Sequence, residues 1–208
     1  MMFKNRTDAA QQLAKHLASY KDKHPLVLAI PRGAVPMGKI IANHLHGDLD
    51  VVLVRKLRAP YSEEVAVGAV DESGWTYVSP YAASQGADQD YIASEKHTQM
   101  AVISERRHLY TPIRKPIDPM DRWVIVVDDG LATGATMIAA LHSLRRAEPR
   151  KLICAVPVAS PEALSRVRPL ADDVVCLHAP ADFHFIGQYY QEFNQVSDAD
   201  VMALLTSG

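Results

Sequence analysis

The sequence predicts an α/β protein built on a doubly wound, mostly parallel sheet, and three observations carry that expectation. Short, continuous apolar runs recur at 26–30, 51–54, 123–127, 152–158 and 174–177, as strands buried on both faces require. Helical patterns separate most of these runs, which suits right-handed parallel crossovers. The chain has 208 residues, 48% hydrophobic and 22% charged; at roughly 150 residues per domain this is one domain with a small cap rather than two, able to bury its core without a disulfide or metal staple.

Each element follows in order. Thr7 is placed to cap a first helix whose Leu13, Leu17 and Tyr20 share one face. The first strand, 26–30, breaks at Pro31, Arg32 and Gly33, and a helix over 36–45 follows, with Gly47 placed to end it. The run 51–54 is the second parallel strand. The pattern then changes: runs at 65–70 and 75–78 flank Asp71-Glu72-Ser73-Gly74 and read as a β-hairpin. A charged helix over 90–110 follows, then a loop over 111–121 with three prolines. Residues 58–121 thus form an insertion, expected to be flexible. The parallel pattern resumes with strand 123–127, helix 136–146, strand 152–158, a short helix after Ser160-Pro161 and strand 174–177. Residues 180–208 read as a cap over the sheet end, with Phe183, Phe185, Tyr189, Tyr190 and Phe193 clustered ahead of a capping box at Ser197-Asp198-Ala199-Asp200.

A net charge of -2 gives no overall pull toward a polyphosphate backbone, so no nucleic-acid partner is expected. Cys154 and Cys176 each lie in an apolar run and read as buried free thiols in a reducing compartment. No apolar stretch has the length of a signal peptide or membrane span, so the expectation is a cytoplasmic protein without a membrane partner. The nine histidines are scattered and form no zinc-ligand spacing. Gly-x-Ser-x-Gly, Gly-x-Gly-x-x-Gly and Walker patterns are absent, which leaves hydrolase, dinucleotide and P-loop readings without support.

The chemistry concentrates after the strand at 123–127. Asp128 and Asp129 arrive at the carboxyl end of a parallel strand, where open α/β sheets place ligands. Two adjacent acceptors suit a vicinal diol. Gly130, Leu131, Ala132, Thr133, Gly134, Ala135 and Thr136 then turn straight into a helix, so backbone amides, the helix dipole and two hydroxyls meet at a point that favours a phosphate dianion. Gly134 removes a Cβ that would hold the anion away. A diol site beside a monophosphate turn describes a ribose 5-phosphate.

This stretch resembles the 5-phosphoribosyl diphosphate (PRPP) motif of type I phosphoribosyltransferases. In that family the turn at Pro31, Arg32 and Gly33 corresponds to the pyrophosphate loop, and the resemblance implies a non-prolyl cis peptide beside Arg32. Val54-Arg55-Lys56 is similar to the Val-Arg-Lys of adenine phosphoribosyltransferases, so Arg55 and Lys56 are expected on pyrophosphate. The ending Ile186-Gly187-Gln188-Tyr189-Tyr190 with Gln195-Val196-Ser197-Asp198 resembles a standalone group whose acceptor is not established.

The resemblance implies a Mg²⁺-dependent pentosyl transfer from PRPP to a small nitrogenous acceptor, a nucleobase being one such, with release of pyrophosphate. Asp128, Asp129, Arg32 and Lys56 would be catalytic, and Asp128 and Asp129 would reach the metal through water. Ala132 stands where enzymes acting on 6-oxopurines carry Asp, which disfavours hypoxanthine and guanine. Glu63, Glu64 and Glu72 are then candidates for proton transfer, and Arg106 and Arg107 could reach pyrophosphate on closure, although solvated charges are the plainer reading of both. A PRPP sensor without turnover is the alternative, and a homodimer is expected by analogy alone.

Overall fold

The computed structural model describes residues 2–206, apart from the side chains of Glu63 and Glu64. The main sheet has five strands, β1 (Leu26–Ala29), β2 (Asp48–Val51), β6 (Trp123–Val127), β7 (Lys151–Val158) and β8 (Asp173–His178), in the order β2-β1-β6-β7-β8 and all parallel. Their residues alternate between two cores. Val27, Ala29, Ile125 and Val127 face α1 (Arg6–His16) and α2 (Val35–Leu45). Leu26, Leu28, Val124 and Val126 face α4 (Ala135–Arg145) and α5 (Pro161–Val167). Burial on both sides is why the strands read as unbroken apolar runs.

The inserted part is a three-stranded antiparallel sheet, β3 (Val54–Ala59), β4 (Ser62–Asp71) and β5 (Thr76–Val78), followed by α3 (Gln89–Tyr110). Here the sequence reading needs correction. The run 51–54 is not one strand: β2 ends at Val51, and after Val52 and Leu53 the chain enters the second sheet at Val54. Arg55 and Lys56 therefore sit within β3, the first strand of the insertion, not at the end of a parallel strand.

Three ends also differ. Asn5, not Thr7, caps α1, its side chain accepting from the Asp8 amide at 3.1 Å. α2 ends on His46 in the left-handed region (φ 55°), while the Gly47 amide donates to Ala42 at 2.9 Å. Gly47 is needed for approach rather than φ, because a Cβ there would lie 2.2 Å from the Pro25 carbonyl oxygen. At the cap, Ser197 and Asp200 close the expected box ahead of α6 (Asp198–Thr206), with both the amide and the hydroxyl of Ser197 reaching the Asp200 carboxylate. Tyr189 and Tyr190 are buried in the cap, but Phe185 is 61% exposed. Cys154 is buried and Cys176 half-buried, both free.

Candidate functional site

In the order β2-β1-β6, β1 is the strand from which the chain winds outward in both directions, and the crevice at the carboxyl ends of β1 and β6 is the switch point where such sheets bind ligands. A cavity of about 330 Å³ lies there. Its walls bring together, from five separate segments, Pro31 and Gly33 after β1, Arg55, Lys56 and Arg58 of β3, Ala66 of β4, Asp128 to Gly134 with Thr136 after β6, and Ile186 of the cap. Of the described residues singled out in the sequence for the site, Arg32, Glu72, Arg106, Arg107 and Ala135 are missing from that wall. Ala135 is buried as the first residue of α4, its amide donating to Thr133 Oγ1 at 3.3 Å.

Asp128 lies at the floor. Its Oδ1 accepts from the Asp129 amide at 2.9 Å and its Oδ2 faces Thr136 Oγ1 at 3.4 Å. Burial, then the charge of Asp129, pushes this carboxyl well above the ordinary range, against the weaker pull of the Asp129 amide and Lys56. Asp129 is tied instead to Arg6 at the start of α1: Nε and Nη2 both donate to Oδ2, at 3.0 and 2.8 Å. Gly33 makes room for this pair, since a Cβ there would stand 2.3 Å from Asp129 Oδ2.

The turn after β6 is knitted to the neighbouring strand. The Leu131 amide donates to Val158 at 3.0 Å, the Ser160 amide to Leu131 at 2.9 Å, and the Ser160 hydroxyl to the Ala132 carbonyl at 2.7 Å. Gly134 has φ 79° immediately before α4, so glycine is needed here for its backbone conformation.

The opposite wall is cationic. The Arg55 guanidinium, anchored by Gln99 at 2.9 Å, is pushed down to about 10, first by burial and then by the charges of Arg106, Arg58 and Arg32. Arg32 follows a cis Pro31–Arg32 bond, one of the two placements the resemblance allowed. Its side chain turns to Asp198 of α6 at 3.2 Å, where Arg106 (3.3 Å) and the Tyr110 hydroxyl also converge. Arg106 is thus a buried ion-pair member and not a surface charge. Arg107 pairs with Glu72 through two bonds of 2.6 and 2.7 Å, and both line a separate cavity of about 140 Å³. Glu72 therefore stands at a different cavity from the acid pair. The Glu63 and Glu64 side chains lie outside the described residues.

Sequence reasoning missed Arg6, Arg58 and Asp198. One cue for Arg6 was present: a cation in the first turn of a helix opposes the dipole and calls for a compensating partner. Among the described residues, no three His, Cys, Asp or Glu side chains gather as a metal cluster, and no helix is long and apolar enough to cross a membrane.

Comparison with known proteins places the chain by sequence and fold. A structure of TT1426 from Thermus thermophilus superposes with a TM-score of 0.81 at 44% identity, covering 100% of this chain and 99% of that one. A Neisseria gonorrhoeae protein at 12% identity and TM-score 0.53, covering 99% of this chain and 96% of its own, shares the fold alone. Two Mycobacterium tuberculosis proteins, from strains CDC 1551 / Oshkosh and H37Rv, carry the name phosphoribosyl transferase. Each is 37% identical over 206 residues, 98% of this chain but 46% of theirs. The chain thus spans about half the length of these relatives. The model of the phosphoribosyl transferase domain matches residues 2–194. With nearly its whole length inside that match, the chain belongs to the phosphoribosyl transferase domain family.

Proposed function

We propose that the cavity binds PRPP and that the chain transfers its 5-phosphoribosyl group to a small nitrogenous acceptor, releasing pyrophosphate. The observation that carries this reading is the continuity of the wall: a pair of carboxylates, suited to the ribose hydroxyls, runs into the turn that opens α4, suited to the 5-phosphate, and Arg55, Lys56 and Arg58 stand in the same 330 Å³ space.

Asp128 and Asp129 would accept from the ribose hydroxyls, and Gly130 to Thr136 would hold the 5-phosphate at the start of α4. Pro31 and Gly33 offer backbone to the pyrophosphate, and Arg55 and Lys56 would offset charge developing on it as it leaves. Arg32 joins them by exchanging Asp198 for the pyrophosphate. The two adjacent carboxylates are hard oxygen donors on the cavity wall and fit a hydrated Mg²⁺ held through water. When bound, the ion supplies further charge neutralisation for the leaving group. Ala132 leaves the turn without an acid for a 6-oxopurine, and Ile186 on the cap side gives the acceptor an apolar wall.

The deciding experiment titrates Mg-PRPP by calorimetry and then assays pyrophosphate release across purines, pyrimidines and related amines. Saturable PRPP binding with release for at least one acceptor is expected. Tight binding with no release for any acceptor converts the reading to a PRPP sensor, and absence of PRPP binding overturns both.

A further inference from the structure

A polar network beside the cavity centres on Arg6, a residue outside every motif of the site. Its guanidinium makes three directed bonds: Nε and Nη2 to Asp129 Oδ2 at 3.0 and 2.8 Å, and Nη1 to the Asn194 carbonyl at 2.6 Å. Its central carbon lies 3.9 Å from the centre of the Phe193 ring, which packs over the planar cation. The Arg6 and Asp129 side chains are only 13% and 14% exposed. From the other side, Gly33 admits the pair with no room for a Cβ, and the Tyr190 hydroxyl donates to the Asp129 carbonyl at 2.7 Å.

Two features make this more than a structural ion pair. Both donors converge on one oxygen, Oδ2, so the carboxylate is fixed in rotation while Oδ1 stays available to another donor. The arginine also sits behind Asp129, outside the cavity lining, so it orients the acid without competing for what the cavity holds.

We propose that Arg6 is the positioning residue of the ribose-hydroxyl site: it sets Asp129 against Gly33 with one oxygen presented to the sugar, and Asn194 and Phe193 make that setting depend on the C-terminal cap. This rests on the ribose 5-phosphate reading of the cavity. Placement errors of an ångström at such a site cost about a hundredfold in favourable cases.

The test uses the full chain in chelator, so that the carboxylates hold no cation, and two probes, ribose 5-phosphate, which needs the acid pair, and inorganic pyrophosphate, which then rests on the cationic residues of the cavity. Arg6→Met is expected to weaken ribose 5-phosphate by about tenfold or more while leaving pyrophosphate affinity within about twofold. Arg6→Lys, which restores charge with a single donor group, recovers part of the loss. In an Asp129→Asn background, Arg6→Met adds no further penalty, because the arginine acts through that acid. Phe193→Leu, which keeps both charges, weakens ribose 5-phosphate in the same direction and serves if Arg6→Met does not fold.

Unchanged ribose 5-phosphate affinity in the folded variants overturns the proposal. So does an equal loss of both probes, which marks a scaffold role, and so does full addition of the two penalties in the double variant. A wild-type protein that binds neither PRPP nor ribose 5-phosphate removes the underlying reading instead.

Discussion

Burial of the Asp128 carboxyl behind Asp129 raises its hold on a proton, and this sets up a conflict between stability and use. Because the folded value lies above the unfolded one, the native chain keeps a proton that the unfolded chain releases. The contribution to stability is complete below the ordinary carboxylate range and is lost as pH rises through the raised value. Asp128→Asn is therefore expected to raise the thermal midpoint relative to wild type at about pH 8 in chelator, with the gap closing toward about pH 4; ribose 5-phosphate affinity falls by about tenfold or more. A variant less stable than wild type at the higher pH contradicts the burial argument. At Gly134 the issue is backbone: with φ 79°, Gly134→Ala should cost about 1–2 kcal/mol in urea unfolding. Both positions were legible in the sequence because acids, glycine and threonines follow one another along one turn. Arg6 was not, because 123 residues separate it from Asp129 and no local pattern encodes that meeting.

Among the elements, α6 docks through buried Val201 and Leu205 and through one carboxylate, Asp198. Burial alone would raise Asp198, but the Tyr110 hydroxyl and the charges of Arg106 and Arg32 outweigh it and hold the group below its ordinary value. A lowered folded value stabilises above the ordinary range and is lost as pH falls through it. Asp198→Asn should flatten the acid limb of stability below about pH 4, measured by thermal melts; an unchanged limb refutes this role. The inserted sheet is fastened elsewhere, through Trp75 stacked on His142 of α4 with centroids 3.6 Å apart and planes at 9°. Trp75→Ala is expected to cost about 1 kcal/mol or more and to speed hydrogen exchange in β4 and β5 before the main sheet. The hairpin of β4 and β5 was readable from its turn residues. The third strand was not: apolar periodicity marks extended chain at 51–54 but is silent on the change of sheet between Val51 and Val54.

Over the whole molecule, the class and the buried parallel strands followed from composition and pattern, while the strand order did not, since a run of valines does not name its neighbours. Nor did the meeting of distant segments around the acid pair. The Phe3 amide donates to Tyr189 at 2.8 Å, Gln191 to Phe3 at 2.9 Å and Glu192 to Lys4 at 2.9 Å, so residues before α1 run beside the cap at the very place where Arg6 and Tyr190 hold Asp129. A ligand on the acid pair should therefore protect both segments together. Mg-PRPP at about a hundred times its dissociation constant is expected to add about 2.7 kcal/mol, with slowed hydrogen exchange at 3–4 and 191–192 as well as at 128–136. Slowing confined to 128–136 would show that the segments are not coupled. The turn after β6 has a different fate. Already sewn to Val158 and Ser160, it resembles a socket cast before its plug arrives, so a phosphate entering it has almost nothing to freeze, and whatever ordering the full substrate demands must fall on other walls.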